Sequence, residues 1–498
     1  MKPNLVRLAA AGGFAAMLLL VLSGCIHNPP TVYGGPSVSP APEIPWTPPP
    51  RAAAQAPAGL SAAALPPGIL ERASSLTLAD LVDLALRNSP QTAGAWAQAR
   101  SAAAAYGSKR GDYYPKVNAG GNATRLEATA VSGNGRATYY QRSYGPTADL
   151  NWLLYDFGGR EAAVEETRQA LFAADWSHNA VIQNVILQVQ QAYYQYVTAR
   201  ALLEAQRASY QEAQTNLGSA DEKHRAGVAT IADVLQARTA VAQVKLAMES
   251  LEGQIQTTRG VLATAVGLPA NTPYDVSFNK EDVAIHATTE AVDKFLKEAQ
   301  AQRPDLAASR AEAVKAGAHL RKVRAEGYPA ITASASVGRT YFDNRDLYGN
   351  AYNAQVLLKV PLFTGFSHQY DVQQAKADQD AAGAKLKSVE QIVALEVWSS
   401  YYSLKTSEQQ VATSEELLKS ATESQEVALG RYKAGVGSIL DLLAAQASLE
   451  NARAQRIQAY SAWFISLAQL AHDAGTLSPT DEQLKKATPV TLEKEGNP

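Results

Sequence analysis

The sequence predicts an α+β membrane protein built by tandem duplication, and three observations lead to that fold class. Several segments recur at spacings of 208 or 214 positions. Long stretches contain neither Gly nor Pro, and four short segments alternate small apolar with polar residues. Together these features predict two architectural halves, each made of coiled-coil helices and a pair of membrane strands.

The duplication is clearest at two turns, "RAGVATIADVLQA" at 225–237 and "KAGVGSILDLLAA" at 433–445. Each has a basic residue, then Ala-Gly-Val, then an apolar run with an Asp six positions past the Gly. Segments that begin and end with Pro also match, at 90–115 and 304–329. The repeated unit is far longer than a solenoid repeat, so each copy is predicted to be half of the architecture.

The stretches without Gly and Pro, 160–217 and 384–429, predict long helices. A helix over the first stretch would be roughly 87 Å long at 1.5 Å per residue. Its apolar residues form two stripes, which favours a helix with packed neighbours on both sides, as in a wall. A plain two-stranded coiled coil is the alternative. Shorter helices at about 90–111 and 228–266 would lie end to end along the long one.

Four segments with period-two alternation predict membrane strands, at 116–124, 147–152, 330–338 and 352–360. One small apolar face, one polar face and Tyr or Trp near the ends are typical of outer-membrane barrels. A soluble sandwich is the alternative, but four strands make no second sheet. Open edges are not tolerated in lipid, so the chain must associate. Two copies would give 8 strands and three would give 12; the helical wall favours three.

The N-terminus predicts a secreted lipoprotein. Lys2 and Arg7 precede an apolar run, 8–22, that is too short to span a membrane and leads into "LSGC", which ends at Cys25. That ending resembles a bacterial lipobox, whose Cys becomes the acylated N-terminus. An ordinary signal peptide with an incidental Cys is the alternative. By the same resemblance, Ile26 in place of Asp favours the outer membrane.

The predicted organisation has five parts. They are a lipoprotein signal peptide (1–24), an acylated Pro-rich tether (25–74), a first repeat (75–290), a second repeat (291–474) and a polar tail (475–498).

With these features in place, the chain resembles the TolC/OprM family of outer-membrane efflux factors, in its lipoprotein branch. The resemblance rests on the lipobox, the duplicated Pro-to-Pro segments, "LYDFGGR" and "PLFTGFS" at the strand-to-helix entries, and the two turns. It implies a trimer with a 12-stranded transmembrane β-barrel, four strands per chain, continuous with a helical barrel of coiled-coil hairpins across the periplasm. It also implies a periplasmic adaptor and an inner-membrane pump docked beneath.

The repeated turns are then the tips of two helical hairpins, with Gly227 and Gly435 ending the long helices in the left-handed conformation. Exposed Val beside each turn would offer an adaptor a small apolar contact. The tip residues expected to meet the adaptor are Gly227, Val228, Gly435, Val436 and Ser438.

Leu440 and Asp441 follow the second tip, and threefold symmetry would turn each into a ring that narrows the pore and favours cations. The resemblance implies a gate latch between Asp233 and Tyr432 of adjacent hairpins. The alternative role for Asp233 is to solvate a helix end. Two positions depart from the family pattern: Gly437 stands where an Arg is common, and Ala444 where an acidic residue is common. Arg225 or Arg431 would have to replace the missing base.

Composition excludes several other functions. The formal net charge of −2 gives no reason to expect nucleic acid as a partner. The seven His are scattered, no phosphate-binding Gly loop is present, and no nucleophile has an activating neighbour. The sequence therefore predicts no enzyme, no metal and no cofactor beyond lipid on Cys25.

The sequence thus predicts a passive exit duct for drugs and other small toxic compounds, with a pump of the resistance-nodulation-division type. Type I protein secretion is the alternative, and a periplasmic adaptor lipoprotein is a weaker one, because adaptors have a single hairpin.

Overall fold

The computed structural model describes residues 76–132, 135–277, 290–342 and 347–477. All of them belong to one compact unit, residues 64–498. The predicted signal peptide, the acylated Cys25 and the Pro-rich tether lie outside the described residues, as does the tail from residue 478 onward.

Eight α-helices are described, four in each half. The first four are α1 (Leu78–Asn88), α2 (Pro90–Arg110), α3 (Gly159–Arg225) and α4 (Ile231–Ala265). Their counterparts are α5 (Val292–Gln302), α6 (Pro304–Ala325), α7 (Ser367–Lys433) and α8 (Ile439–Asp473). Both α3 and α7 have 67 residues, and both α4 and α8 have 35, which confirms the predicted duplication. Helix α5 was not predicted.

Local signals start several of these helices. Thr77 caps α1 and forms a capping box with Asp80. Pro90 and Pro304 occupy the first position of α2 and α6, where the missing backbone N–H costs nothing. The Pro-to-Pro pattern therefore marks the start of a helix in each half.

The long helix α3 has neighbours from both halves. It packs against α2 and α4 of its own half and against α6 and α8 of the other, while α7 packs against α5, α6 and α8. This arrangement confirms the predicted wall over a plain two-stranded coiled coil, and it explains why α3 carries two apolar stripes. Among the described residues, no helix has both the length and the apolar character needed to cross a membrane.

The strands form one antiparallel sheet in the order β1 (Lys116–Ser132), β2 (Gly135–Tyr155), β3 (Ala330–Phe342) and β4 (Leu347–Lys359). The existence and pairing of four strands agree with the prediction, but their lengths do not. Strands β1 and β2 have 17 and 21 residues, against 13 each for β3 and β4. The first hairpin therefore continues well past the predicted boundary at 124, because its upper part carries polar and charged residues that hide the alternation.

The pairing register separates the sheet into two faces. One face is mainly apolar and includes Val117, Ala119, Ala148, Leu150, Ala335, Val337, Val356 and Leu358. The other is polar and includes Asn118, Asn122, Asp149, Asn151, Ser334, Ser336, Asn353 and Gln355. Strands β1 and β4 each keep one edge without a strand partner within the described residues. Such a sheet is complete only when other strands join both edges.

The entry from β2 to α3 explains the motif "LYDFGGR". Phe157 and Gly158 take positive φ angles of 51° and 90°, which turn the chain from strand to helix. The backbone N–H of Arg160 donates to the Asp156 carboxylate at the start of the helix. The Arg160 guanidinium donates to the carbonyl of Leu153 (2.7 Å) and so ties the helix back to the strand.

Candidate functional site at the hairpin tips

The two hairpin tips share one backbone turn. Gly227 and Gly435 take φ angles of 77° and 79°. The backbone N–H of Val228 donates to the carbonyl of Lys223 (2.9 Å), and that of Val436 donates to the carbonyl of Arg431 (3.0 Å). These are the bonds that close a helix through a left-handed residue, which favours Gly because it lacks a Cβ. The predicted role of both glycines in ending α3 and α7 is confirmed.

The side chains that follow the glycines point away from the rest of the chain. Val228 and Val436 are 74% and 69% exposed. An exposed Val at the end of a long hairpin is an accessible apolar contact. Their contact with an adaptor stays a prediction.

The repeated Asp lies in the first turn of the next helix at each tip. At the first tip, the Asp233 carboxylate accepts from the backbone N–H (2.8 Å) and hydroxyl (3.0 Å) of Thr230. At the second tip, the Asp441 carboxylate accepts from the backbone N–H of Ser438 at a longer 3.4 Å. Both pairs are capping boxes, which satisfy backbone donors that the helix start leaves free. Asp233 is held more firmly than Asp441.

Tyr432, the other half of the predicted latch, is buried beneath the second tip. It is 6% exposed and packs with Ile439 and Leu442. Its hydroxyl has no hydrogen-bond partner among the described residues. Burial raises the pKa of this phenol, and the nearby charge of Asp233 raises it further. Within one chain the latch bond is therefore absent, and a bond between neighbouring chains stays a prediction.

The cation beside Tyr432 is Lys223, a residue to which no sequence signal pointed. Its Nζ lies 3.7 Å from the centroid of the Tyr432 ring and donates to the Tyr432 carbonyl. Lys223 is in the last turn of α3 and Tyr432 in the last turn of α7, so the contact joins the two hairpins. Within the chain, Lys223 is therefore the cation that contacts Tyr432. Replacement of the missing base by Arg225 or Arg431 stays a prediction.

Gly437 has a steric reason to lack a side chain. A Cβ at this position would lie 2.9 Å from the Cβ of Arg431 and 3.1 Å from the backbone N of Tyr432. The backbone N–H of Gly437 donates to the carbonyl of Arg431 (3.1 Å), which tightens the second turn. The Arg that is common in the family would not fit this turn as it stands.

Leu440 and Asp441 lie in the first turn of α8, as predicted. Leu440 is 58% exposed, and Asp441 is exposed as well. Their side chains are free to form rings in a trimer, but a pore constriction at these residues stays a prediction.

Farther from the tips, polar contacts hold the two hairpins together. The guanidinium of Arg453 on α8 donates to both carboxylate oxygens of Glu212 on α3, at 2.9 and 3.2 Å. The Gln206 amide donates to the carboxylate of Glu450 at 2.6 Å. Sequence reasoning missed these contacts, because charged residues on long helices ordinarily face solvent. Within the described residues, no group of three or more His, Cys, Asp and Glu could hold a metal ion.

The family model described as outer membrane efflux protein matches residues 81–268 and 295–476. The chain belongs to the outer membrane efflux protein family. The chain is 29% identical over 414 residues to Protein CyaE of Bordetella pertussis, covering 82% of this chain and 85% of that protein. It is 26% identical over 423 residues to outer membrane protein TolC of Vibrio cholerae, covering 81% and 92%. The solved structure of VceC from Vibrio cholerae shares the fold, with a TM-score of 0.71, 22% identity and coverage of 80% and 96%.

As a member of the outer membrane efflux protein family, the chain is an outer-membrane channel that extends into the periplasm. It works as a trimer with a periplasmic adaptor and an inner-membrane pump. The open edges of β1 and β4 agree with this assembly, because three chains supply 12 strands to one closed barrel.

Proposed function

We propose that this channel releases drugs and other small toxic compounds to the exterior, driven by a pump of the resistance-nodulation-division type. The observation that supports this cargo is a set of three relatives, each 24% identical over 357 residues. They are named as a probable, an antibiotic and a toluene efflux pump outer membrane protein, all from Pseudomonas putida.

A deletion strain tests the cargo directly. Loss of the protein should increase sensitivity to several unrelated toxic compounds at least fourfold, and expression of the chain from a plasmid should restore resistance. Unchanged sensitivity together with loss of a secreted polypeptide from the medium would overturn the proposal in favour of type I protein secretion.

We also propose that the chain performs no chemistry of its own. The repeated strands, hairpins and tips are the parts of a passive duct. The energy for transport comes from the pump. Purified trimer in lipid vesicles should pass small solutes without nucleotide and should hydrolyse none. Nucleotide hydrolysis by the purified trimer would contradict this proposal.

We further propose that Cys25 becomes the acylated N-terminus and that residues 1–24 are removed. The support is "LSGC" after a short apolar run, with Cys25 the only Cys of the chain. Mass spectrometry of the membrane-extracted protein should find a lipid-modified Cys25 at the N-terminus. Retention of Met1, or an unmodified N-terminus elsewhere, would contradict it.

A further inference from the structure

An aromatic and basic cluster lies on the apolar face of the sheet, near the end away from the helices. The ring of Tyr144 stacks on that of Tyr341 with centroids 5.6 Å apart, and Tyr341 neighbours Tyr348 at 6.3 Å. The guanidinium carbon of Arg339 lies 4.0 Å from the Tyr348 ring centroid and 5.5 Å from that of Tyr341. The Tyr rings therefore hold the Arg339 side chain on this face through cation–π contacts.

Two more Arg residues extend the cluster along the first hairpin. Arg125 on β1 pairs directly with Arg142 on β2, two positions beyond the pair of Ala123 and Tyr144. Side chains two positions apart on a strand share a face, so both guanidinium groups lie on the face that carries the Tyr rings. Directly opposed residues of an antiparallel pair have Cβ atoms about 5 Å apart. Glu127 is the one acidic residue among the described residues of this part of the face.

Among the described residues, the polar face of the sheet carries no charge at the same level. The residues there are Thr124, Leu126, Gln141 and Ser143. If the basic residues served the passage of solutes, they would lie on the polar face, which lines the lumen of a barrel. Their place on the apolar face directs them to the surroundings of the channel instead.

The order of residues along the apolar face locates the cluster in the membrane. Small apolar residues come first, then the Tyr rings, then Arg125 and Arg142. Aromatic residues of membrane proteins concentrate at the headgroup level. The strands join α2, α3, α6 and α7 at the opposite end of the sheet. Since the helices of this outer-membrane channel occupy the periplasm, the cluster faces the outer leaflet.

We propose that Arg125, Arg142 and Arg339 bind the phosphate groups of the glycolipid that forms the outer leaflet. The planar guanidinium donates two parallel hydrogen bonds to a phosphate and forms stronger contacts with it than a neutral donor does. Arg125 and Arg142 lie directly opposite each other, and Arg339, on the strand next to that of Arg142, adds a third guanidinium group to this face. A trimer presents three such sites around its rim.

Native mass spectrometry of the detergent-solubilised trimer tests this site, with lipid A as the probe. The combined substitutions Arg125→Gln, Arg142→Gln and Arg339→Gln should weaken lipid A binding about tenfold, equivalent to about 1.4 kcal/mol. Lys359→Gln is the control, because Lys359 lies at the other end of the same sheet and on its other face. The control should leave binding unchanged. Equal binding by the parent and the triple variant would overturn the proposal.

Two further measurements keep the proposal testable if the triple variant assembles poorly. The parent trimer should bind lipid A with two phosphates more tightly than its dephosphorylated form; equal affinity would overturn the proposal. The single substitution Arg339→Gln should weaken lipid A binding and leave the ion selectivity of single channels unchanged. A change in selectivity would show that the cluster acts on the lumen and would also overturn it.

Discussion

The two hairpin tips share a sequence motif and a backbone turn, but their side chains are held differently. At the first tip the Asp233 carboxylate makes two short bonds to Thr230. At the second tip the corresponding Asp441 makes one long bond to Ser438. The second tip also covers a buried Tyr432, which contacts Lys223 of the other hairpin. Both tips are thus closed by local bonds, and the second tip adds a contact with the other hairpin.

This difference shows how a duplicated motif can acquire two roles. The turn and the helix cap are local, so both copies keep them. The contacts around Tyr432 involve residues from both halves, so only one copy of the motif has them. We expect that changes at the shared turn affect both tips alike, and that changes around Tyr432 act on the entrance alone.

The largest expected effect comes from the exposed Val residues that the tips share. Val228→Glu combined with Val436→Glu should abolish resistance, because charged side chains would disrupt an apolar contact with the adaptor. Trimer assembly should be normal, since neither side chain packs within the chain. Drug susceptibility and native gel electrophoresis measure the two outcomes. Lost trimers would show that the residues are structural. Thr230→Val is the control, because it alters the first tip without adding charge. It shows whether any disturbance of the tip lowers resistance.

The predicted latch should have the next largest effect. Tyr432→Phe combined with Asp233→Ala should raise conductance in planar bilayers, because a bond between a phenol and a carboxylate of neighbouring chains is lost. If the double variant has the same conductance as the parent, the latch does not lie between these two residues. Asp233→Ala also removes one half of the capping box that starts α4. Thr230→Ala removes the other half, at a cost of about 1 kcal/mol, and serves as the matched control.

The single substitution Tyr432→Phe shows whether the Tyr432 hydroxyl makes a hydrogen bond to a neighbouring chain in the trimer or has no partner there. Without a partner in the trimer, the buried hydroxyl destabilises the fold, and its removal should leave thermal stability unchanged or raise it by about 1 kcal/mol. With a latch bond between chains, the same substitution should lower trimer stability. Thermal unfolding of the parent and variant trimers shows whether the substitution raises or lowers stability.

Substitution of Lys223, which contacts Tyr432 beneath the second tip, should have a smaller effect on conductance. Lys223→Gln removes the cation–π contact and should loosen the entrance, which would raise conductance, whereas Lys223→Arg should preserve the parental value. The interaction is worth about 1 kcal/mol at a partly exposed site. Equal conductance of the Gln variant and the parent would show that Lys223 does not restrain the entrance.

The smallest expected effect is at Asp441. Asp441→Asn should reduce the preference for cations in single-channel recordings, because three carboxylates are lost from one ring of the trimer. Asp233→Asn is the corresponding change at the first tip and should alter selectivity less, because that carboxylate is engaged with Thr230. An unchanged preference in the Asp441 variant would place the selective ring elsewhere.

Much of the fold followed from local patterns. The helix stops at Gly227 and Gly435, the starts at Pro90 and Pro304, and the alternation within the strands all involve residues close in sequence. The length of the first hairpin did not follow, because Arg125, Glu127 and Arg142 interrupt its apolar alternation. Helix α5 lacks a side-chain cap at its start, so the usual signal is missing there.

The sequence by itself determined the duplication, the order of the strands and of the helices other than α5, the shared turn at both tips and the need for other chains to complete the sheet. Only the tertiary structure decided which side chains meet across the halves. Lys223 and Tyr432 lie 209 positions apart. Their contact depends on the register in which α3 and α7 end side by side, which periodicity does not specify. The face occupied by Arg125 and Arg339 was likewise fixed by strand pairing, because a shift of one residue would move each side chain to the other face.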